Sequence, residues 1–169
     1  MGKASLWRVP VSHFSTLYDA RTGKPDWRAW ASQVGIPFAG GVVAYLMNAR
    51  LVDVGDVVAG VSIVSGLLFS MSVFLFQLRM TFARDSRLTE FDYRLVDECM
   101  ANTLWAIVWG LVFTLYLIVA GAGNWIGDRR SGPIFTGIAV AAALHFLAVI
   151  MMCIKRLRRA YERIAMRNL

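Results

Sequence analysis

The feature that most constrains the fold is an uncharged run over residues 57–78. Asp56 and Arg79 bound its 22 residues, which as an α-helix would extend about 33 Å at roughly 1.5 Å per residue. This length matches the hydrocarbon core of a bilayer, which is about 30 Å thick. In lipid, only a helix or a closed barrel satisfies the backbone polar groups. Because the run lacks the alternating pattern of a barrel strand, it predicts a transmembrane helix.

The composition indicates that most of the chain lies in the membrane. Hydrophobic residues make up 57% of the 169 positions and charged residues 17%, against about 45–50% and about 25% in soluble domains. The first 33 residues lack the apolar core of a signal peptide. We therefore predict an N-terminal cytoplasmic or interfacial segment (1–33), a four-helix transmembrane domain (34–154) and a basic helical tail (155–169).

Four spans are predicted in an all-α fold, at about 34–52, 57–78, 101–123 and 133–154. Trp27 and Trp30 share a helical face before the first span, which indicates a short interfacial helix. The first span is the weakest pattern, because Pro37 and two glycines interrupt its early half. The third helix is expected to begin near Glu90, well before its span, and the tail is expected to continue the fourth.

The distribution of basic residues predicts the orientation. Of the 18 Lys and Arg residues, 15 fall in the N-terminal segment, the central loop and the tail, and 3 in the other two loops. The positive-inside rule then places both termini in the cytoplasm of a multi-pass protein of the bacterial inner membrane.

Small and polar residues follow helical spacing in each span. In the second span, Gly55, Ala59, Ser62, Gly66 and Ser70 form one face on which another helix can approach closely. In the fourth, Gly137, Ala141, His145 and Ala148 form a similar stripe. The serines offer two interpretations, a narrow polar path or close packing with hydroxyls bonded to their own helix. The candidate pore or packing residues are Asn48, Ser62, Ser65, Gly66, Ser70, Gln77, Gly110, Thr114 and His145.

Apart from Arg50, which is expected to reach the far interface, His145 is the only His, Asp, Glu, Lys or Arg side chain inside a predicted span. It is either a pore gate or proton-sensitive element, or a neutral histidine bonded to a hydroxyl or a backbone carbonyl of a neighbouring helix. The second interpretation is favoured, because histidine often links helices in membranes.

Several classes of function are disfavoured by what the spans lack. They contain no buried Asp, Glu, Lys or Arg, since Arg50 near the end of the first span is expected to reach the far interface, whereas ion-coupled transporters place an ionisable group near the midplane. Two His and two Cys residues far apart make no metal-site spacing. No catalytic constellation is evident, so we expect neither an enzyme nor a cofactor. Nucleic acid is not an expected partner, since the basic residues already serve the orientation rule.

The inner edges of the third and fourth spans carry opposite charges. If these spans are antiparallel neighbours, acidic and basic residues meet below the bilayer, and Phe91, Leu95, Leu157, Tyr161 and Ile164 form an apolar seam between them. This arrangement would couple a cytoplasmic signal or partner to the spans. The candidate coupling residues are Asp92, Asp97, Glu98, Arg158, Arg159 and Tyr161.

The small-residue faces predict a homo-oligomer in the lipid bilayer. The first functional hypothesis is a pore-forming or membrane-perturbing protein, because the size and topology resemble those of small four-span effectors of bacterial anti-phage systems. The alternative is a non-conducting accessory or scaffold subunit that recruits a cytoplasmic protein. A small-molecule transporter is the third hypothesis.

Overall fold

The computed structural model describes residues 27–82, 90–126 and 132–167, and these contain four helices and no strand. Helix α1 joins Trp27–Trp30, a π-helical turn Ala31–Gly35 and Ile36–Leu46. Helices α2, α3 and α4 are Val54–Phe82, Glu90–Ala122 and Gly132–Arg167. As predicted, α3 begins well before its span, and α4 runs past Ile154 into the tail without a break.

Three of the helices are long and apolar enough to cross a membrane. Their apolar parts are Val54–Thr81, Tyr93–Ala122 and Gly132–Arg158, of 28, 30 and 27 residues. The apolar part of α1, Ala31–Leu46, is shorter than the roughly 17–25 residues of a typical spanning helix.

The helices lie side by side in one row in the order α2, α3, α4, α1, and in the described part of the chain the two outer helices, α2 and α1, do not pack against each other. Among the described residues, α2 packs against α3 alone and α1 against α4 alone, while α3 and α4 pack against each other. Each neighbouring pair is antiparallel: Val54 of α2 lies beside Gly121 of α3, and Tyr116 of α3 bonds Phe135 of α4. The N-terminus of α1 and the C-terminus of α4 therefore lie at the same end of the helix axes. Consecutive helices α1 and α2 are not adjacent, and their connection passes the start of α4, where the Leu51 amide donates to Thr136 Oγ1 at 3.2 Å.

The first helix differs from its prediction at both ends. It begins at Trp27 with no break before the predicted span, so the tryptophans that were expected on a separate interfacial helix belong to α1 itself. Proline removes one helical N–H and crowds the carbonyl four residues earlier. The wider π turn just before Pro37, in which the Ile36 amide donates to Ala31 O, accommodates this defect.

The helix also ends at Leu46 rather than near residue 52. Asn48 adopts a left-handed conformation with φ 52°, its amide donates to Tyr45 O at 3.0 Å, and the Ala49 amide donates to Ala44 O at 2.9 Å. These two bonds form a Schellman cap, a motif in which asparagine is tolerated at the left-handed position. Asn124 ends α3 in the same way, with φ 55°. The C-termini of α1 and α3 lie at the same end of the helix axes, and both are thus capped by asparagines.

The core runs along the three longer helices. On α2, the buried residues Val61, Ser65, Leu68, Ser72 and Leu75 alternate steps of four and three, which keeps one seam facing α3. The seam is one residue out of register with the predicted small-residue face of α2, and this shift decides which α2 side chains have neighbours.

Candidate functional site

A buried polar group lies where α1, α3 and α4 meet, and His145 is at its centre. The imidazole Nδ1 lies 2.8 Å from the backbone oxygen of Gln33 on α1. The indole Nε1 of Trp105 on α3 donates to His145 Nε2 at 3.4 Å. Both ring nitrogens are therefore engaged, and the residue is 9% exposed. We call Gln33, Trp105, Trp109 and His145 the polar junction.

Gln33 contributes its side chain as well as its carbonyl. Its amide Nε2 donates to Ala148 O at 3.1 Å and lies 3.6 Å from Met152 Sδ, both on α4. Gln33 is only 3% exposed, and its Oε1 has no hydrogen-bond partner among the described residues. Burying an unpaired amide oxygen is costly, so this atom is the least satisfied part of the polar junction.

Two tryptophans of α3 enclose the imidazole. The ring centroids of Trp109 and His145 are 4.7 Å apart with the planes 69° from parallel, an edge-to-face contact. The Trp105 and Trp109 centroids are 5.8 Å apart. Trp109 also donates to Ala142 O at 3.1 Å, and Tyr116 donates to Phe135 O at 2.8 Å. Aromatic N–H and O–H groups of α3 therefore bond backbone carbonyls along α4.

The stripe predicted on α4 faces α1. A Cβ built on Gly41 would lie 2.7 Å from Gly137 O and 2.9 Å from Ala141 Cβ, and one built on Gly137 would lie 2.9 Å from Gly41 O. The two backbones therefore touch at a crossing that only glycines permit. His145 and Ala148 continue the same face toward Gln33.

The candidate residues of α2 divide into two groups. Ser65 is buried against α3, close to Gly110 on that helix, and its hydroxyl has no partner among the described residues. Four others are exposed in the single chain: Ser62, Gly66, Ser70 and Gln77. A Cβ at Gly66 would meet nothing within 4 Å. Among the described residues of one chain, Gly66 therefore makes no helix contact of the kind predicted, because the seam that faces α3 is the neighbouring one.

The remaining pore candidates do not join these serines. Asn48 caps α1, on the far side of α4 from α2, and is exposed. Thr114 is half-buried on α3. Phe69 and Phe76, on the same helix as these serines, are 63% and 59% exposed. The described residues of a single chain thus form no continuous polar path of the kind predicted.

Several of the predicted coupling residues form separate ion pairs. Glu98 bonds Arg156 of α4 at 2.5 Å with side chains 20% and 12% exposed. Asp97 turns the other way and bonds Arg79 of α2 at 2.9 Å, with the more exposed side chains. Arg158 pairs with Glu162 on its own helix at 2.7 Å. The acidic residues of α3 therefore pair with both α2 and α4, and not with the tail alone.

Among the described residues, the α4 side of the expected apolar seam is exposed. Tyr161 is 72% exposed and Leu157 is 38% exposed. The side chains of Phe91, Asp92, Arg159 and Ile164 lie outside the described residues.

The cysteines lie in the protein interior at adjoining levels of α3 and α4. Cys99 and Cys153 are both free and 1% exposed. Thr103 Oγ1 donates to Cys99 O at 2.8 Å and lies 3.9 Å from Cys153 Sγ. The part of the chain that the structure describes contains no group of three His, Cys, Asp or Glu side chains able to hold a metal ion.

The sequence interpretation missed Gln33 and the tryptophan donors. Gln33 was assigned to the polar segment before the first span, so it was not considered as a partner of His145. A usable signal was present, since a glutamine four residues before a proline offers both an amide and a carbonyl without its usual donor. Trp105 and Trp109 are four residues apart and share one helical face, but nothing in that spacing distinguishes a lipid-facing pair from a buried one.

Comparison of the chain with protein-family models, curated proteins and solved structures finds no match.

Proposed function

We propose that this is a four-span protein of the bacterial inner membrane, with both termini in the cytoplasm, that self-associates and makes the membrane permeable. The antiparallel order supports the topology, since the N-terminus of α1 and the C-terminus of α4 lie at the same end of the helix axes. Of the 15 basic residues assigned to the cytoplasm, the described Arg79, Arg94, Lys155, Arg156 and Arg158 lie at that end. Reporter fusions at Leu169 and within 124–131 should report opposite compartments, and a periplasmic Leu169 would overturn this topology.

The position of α1 supports its assignment as a fourth span. Gln33 is level with Ala148 and Met152 of α4, and Leu51 is level with Thr136. The α4 segment between these contacts is about 24 Å long at roughly 1.5 Å per residue. The connection from α1 to α2 therefore lies near the opposite end of the apolar part of α4, as a spanning helix requires.

The exposed stripe of α2 is the observation that carries the permeability proposal. Helix α2 is an edge of the row, and Ser62, Gly66, Ser70 and Gln77 lie on its exposed surface. Small and hydroxyl residues gain little from lipid contact, whereas they allow helices to approach closely or line water. In an oligomer, this stripe would face copies of itself or a central aqueous path. The anti-phage setting is proposed on size and topology.

The purified protein in liposomes provides the test. Dye release and loss of a potassium diffusion potential are expected for the wild type, together with an oligomer in detergent. Gly66→Leu should reduce both, while Leu67→Ile, the adjacent position, should reduce neither. A monomer without leakage, or equal leakage from all three proteins, would contradict the proposal.

A second function, recruitment of a cytoplasmic protein, is favoured by one observation. Tyr161 and Leu157 are apolar side chains exposed on the extension of α4 beyond the predicted span. If these residues bind a partner, a soluble protein should co-purify in stoichiometric amount with the wild type and be lost with Tyr161→Asp. Membrane insertion and liposome leakage should be unchanged in that variant. Leakage that requires Tyr161 would instead favour one coupled function.

A further inference from the structure

The hydrogen bonds around His145 assign its tautomer. A backbone carbonyl only accepts hydrogen bonds and an indole N–H only donates them. The contact of Nδ1 with Gln33 O at 2.8 Å therefore requires a hydrogen on Nδ1. The Trp105 indole at 3.4 Å requires a lone pair on Nε2. Both bonds are made together only by the neutral Nδ1–H form.

The accepting carbonyl is special because of Pro37. In a regular α-helix, the carbonyl of residue 33 accepts from the amide of residue 37. Proline has no N–H, so position 37 offers no donor to Gln33 O, which lies in the π turn Ala31–Gly35. The His145 imidazole supplies a donor at this oxygen. A carbonyl next to the irregular turn of α1 is thereby hydrogen-bonded to a side chain of α4.

This contact also joins helices that are not neighbours. The backbones of α1 and α3 do not pack against each other among the described residues, yet Gln33 of α1 and Trp105 of α3 bond opposite sides of one ring on α4. We propose that His145, as the Nδ1–H tautomer, is a positioning residue that fastens α1 to the α3–α4 pair through the Gln33 carbonyl, to which Pro37 offers no N–H.

The tautomer is tested directly by nitrogen NMR. His13→Gln leaves His145 as the only histidine of the chain, so ¹⁵N-histidine labelling of this variant in nanodiscs gives one imidazole. The expected spectrum has the proton on Nδ1 and a pyridine-type Nε2. A proton on Nε2, or averaged shifts for the two nitrogens, would overturn the assignment.

The fastening role is tested by two amide replacements. The amide nitrogen of His145→Asn lies where Nδ1 was, whereas that of His145→Gln reaches the position of Nε2. Hydrogen exchange of the α1 amides over 31–46 should stay within about threefold of the wild type for His145→Asn. It should be about tenfold faster for His145→Gln, because the Gln33 carbonyl loses its donor. Equal exchange in both variants would overturn the proposal, and the amides of α2 serve as the internal control.

The dependence on Pro37 is tested by a double-mutant cycle. Pro37→Ala restores an N–H at position 37, which can donate to Gln33 O within the helix. His145→Ala should therefore accelerate exchange in α1 at least about threefold less in the Pro37→Ala background than alone. Equal acceleration in both backgrounds would mean that the two residues do not act through one carbonyl, and would overturn that part of the proposal.

Discussion

Two stripes with the same sequence pattern have opposite surroundings. On α4, Gly137 and Ala141 touch the backbone or side chains of α1, so closely that a Cβ on Gly137 would lie 2.9 Å from Gly41 O. On α2, the Cβ of a residue at Gly66 would meet nothing within 4 Å. Helical spacing of small residues identifies a face that permits close approach. It does not identify which of these faces has a neighbour in the same chain.

The partner helix explains the difference. Helix α1 offers α4 a matching face of Pro37, Gly41 and Ala44, all buried, and Gln33 adds hydrogen bonds at one end. The stripe of α2 meets no such face, because α3 takes the adjacent seam of Val61 and Leu68. A small-residue stripe is therefore buried where a second helix supplies both small residues and polar groups at the same level.

The largest expected effect is at the glycine crossing. Gly137→Leu should place its side chain against the Gly41 carbonyl and separate α1 from α4. We expect a loss of about 2–3 kcal/mol in the free energy of unfolding, measured by denaturation in mixed micelles. Gly66→Leu, at the equivalent position of the α2 stripe, should leave the stability of the monomer within about 0.5 kcal/mol. Equal destabilisation by the two variants would show that the stripes do not differ as described.

Gly110 gives the second largest effect, because it lies on α3 between the other helices. A Cβ there would lie 3.1 Å from the ring of Phe146 on α4 and would also meet Ser65 of α2. Gly110→Ala should cost about 1–2 kcal/mol. Gly121→Ala on the same helix, where the added Cβ would be 3.4 Å from Val54, is the matched control and should cost less. A reversed order would contradict the packing described at Gly110.

The sequence predicted where the helices lie in the chain better than it predicted which helices pack against each other. The uncharged runs and their flanking charges were sufficient for α2, α3 and α4, because bilayer thickness fixes the length of an apolar helix. The stripe on α4 and the proximity of Glu98 to the tail also followed from spacing. The end of α1 was wrong because Asn48 was considered as a polar side chain and not as a left-handed cap. The role of Gln33 required knowing that α1 lies beside α4 and not beside α2.

The ion pairs near the helix ends show the same difference between α4 and α2. The pair that joins α3 to α4, Glu98–Arg156, has side chains 20% and 12% exposed, whereas Asp97 and Arg79, between α3 and α2, are 58% and 39% exposed. Arg156→Met should cost about 1–2 kcal/mol, since it leaves a partly buried carboxylate without that partner. Arg79→Met should cost under about 1 kcal/mol. Stronger destabilisation by Arg79→Met would contradict the view that α4 is held more tightly than α2.

The smallest effect on stability, and the sharpest comparison, concerns two serines of α2. Ser70 and Ser72 each donate to the carbonyl four residues earlier, Gly66 O and Leu68 O, at 3.2 Å. Ser72 lies in the buried seam and Ser70 on the exposed stripe. Because a hydroxyl bonded to its own helix adds little to stability, both alanine variants should unfold within about 0.5 kcal/mol of the wild type. If the stripe lines water in an oligomer, Ser70→Ala should reduce ion leakage from liposomes while Ser72→Ala leaves it unchanged. Leakage that falls only in Ser72→Ala would move the conducting path to the α2–α3 seam and reverse the roles of the two faces.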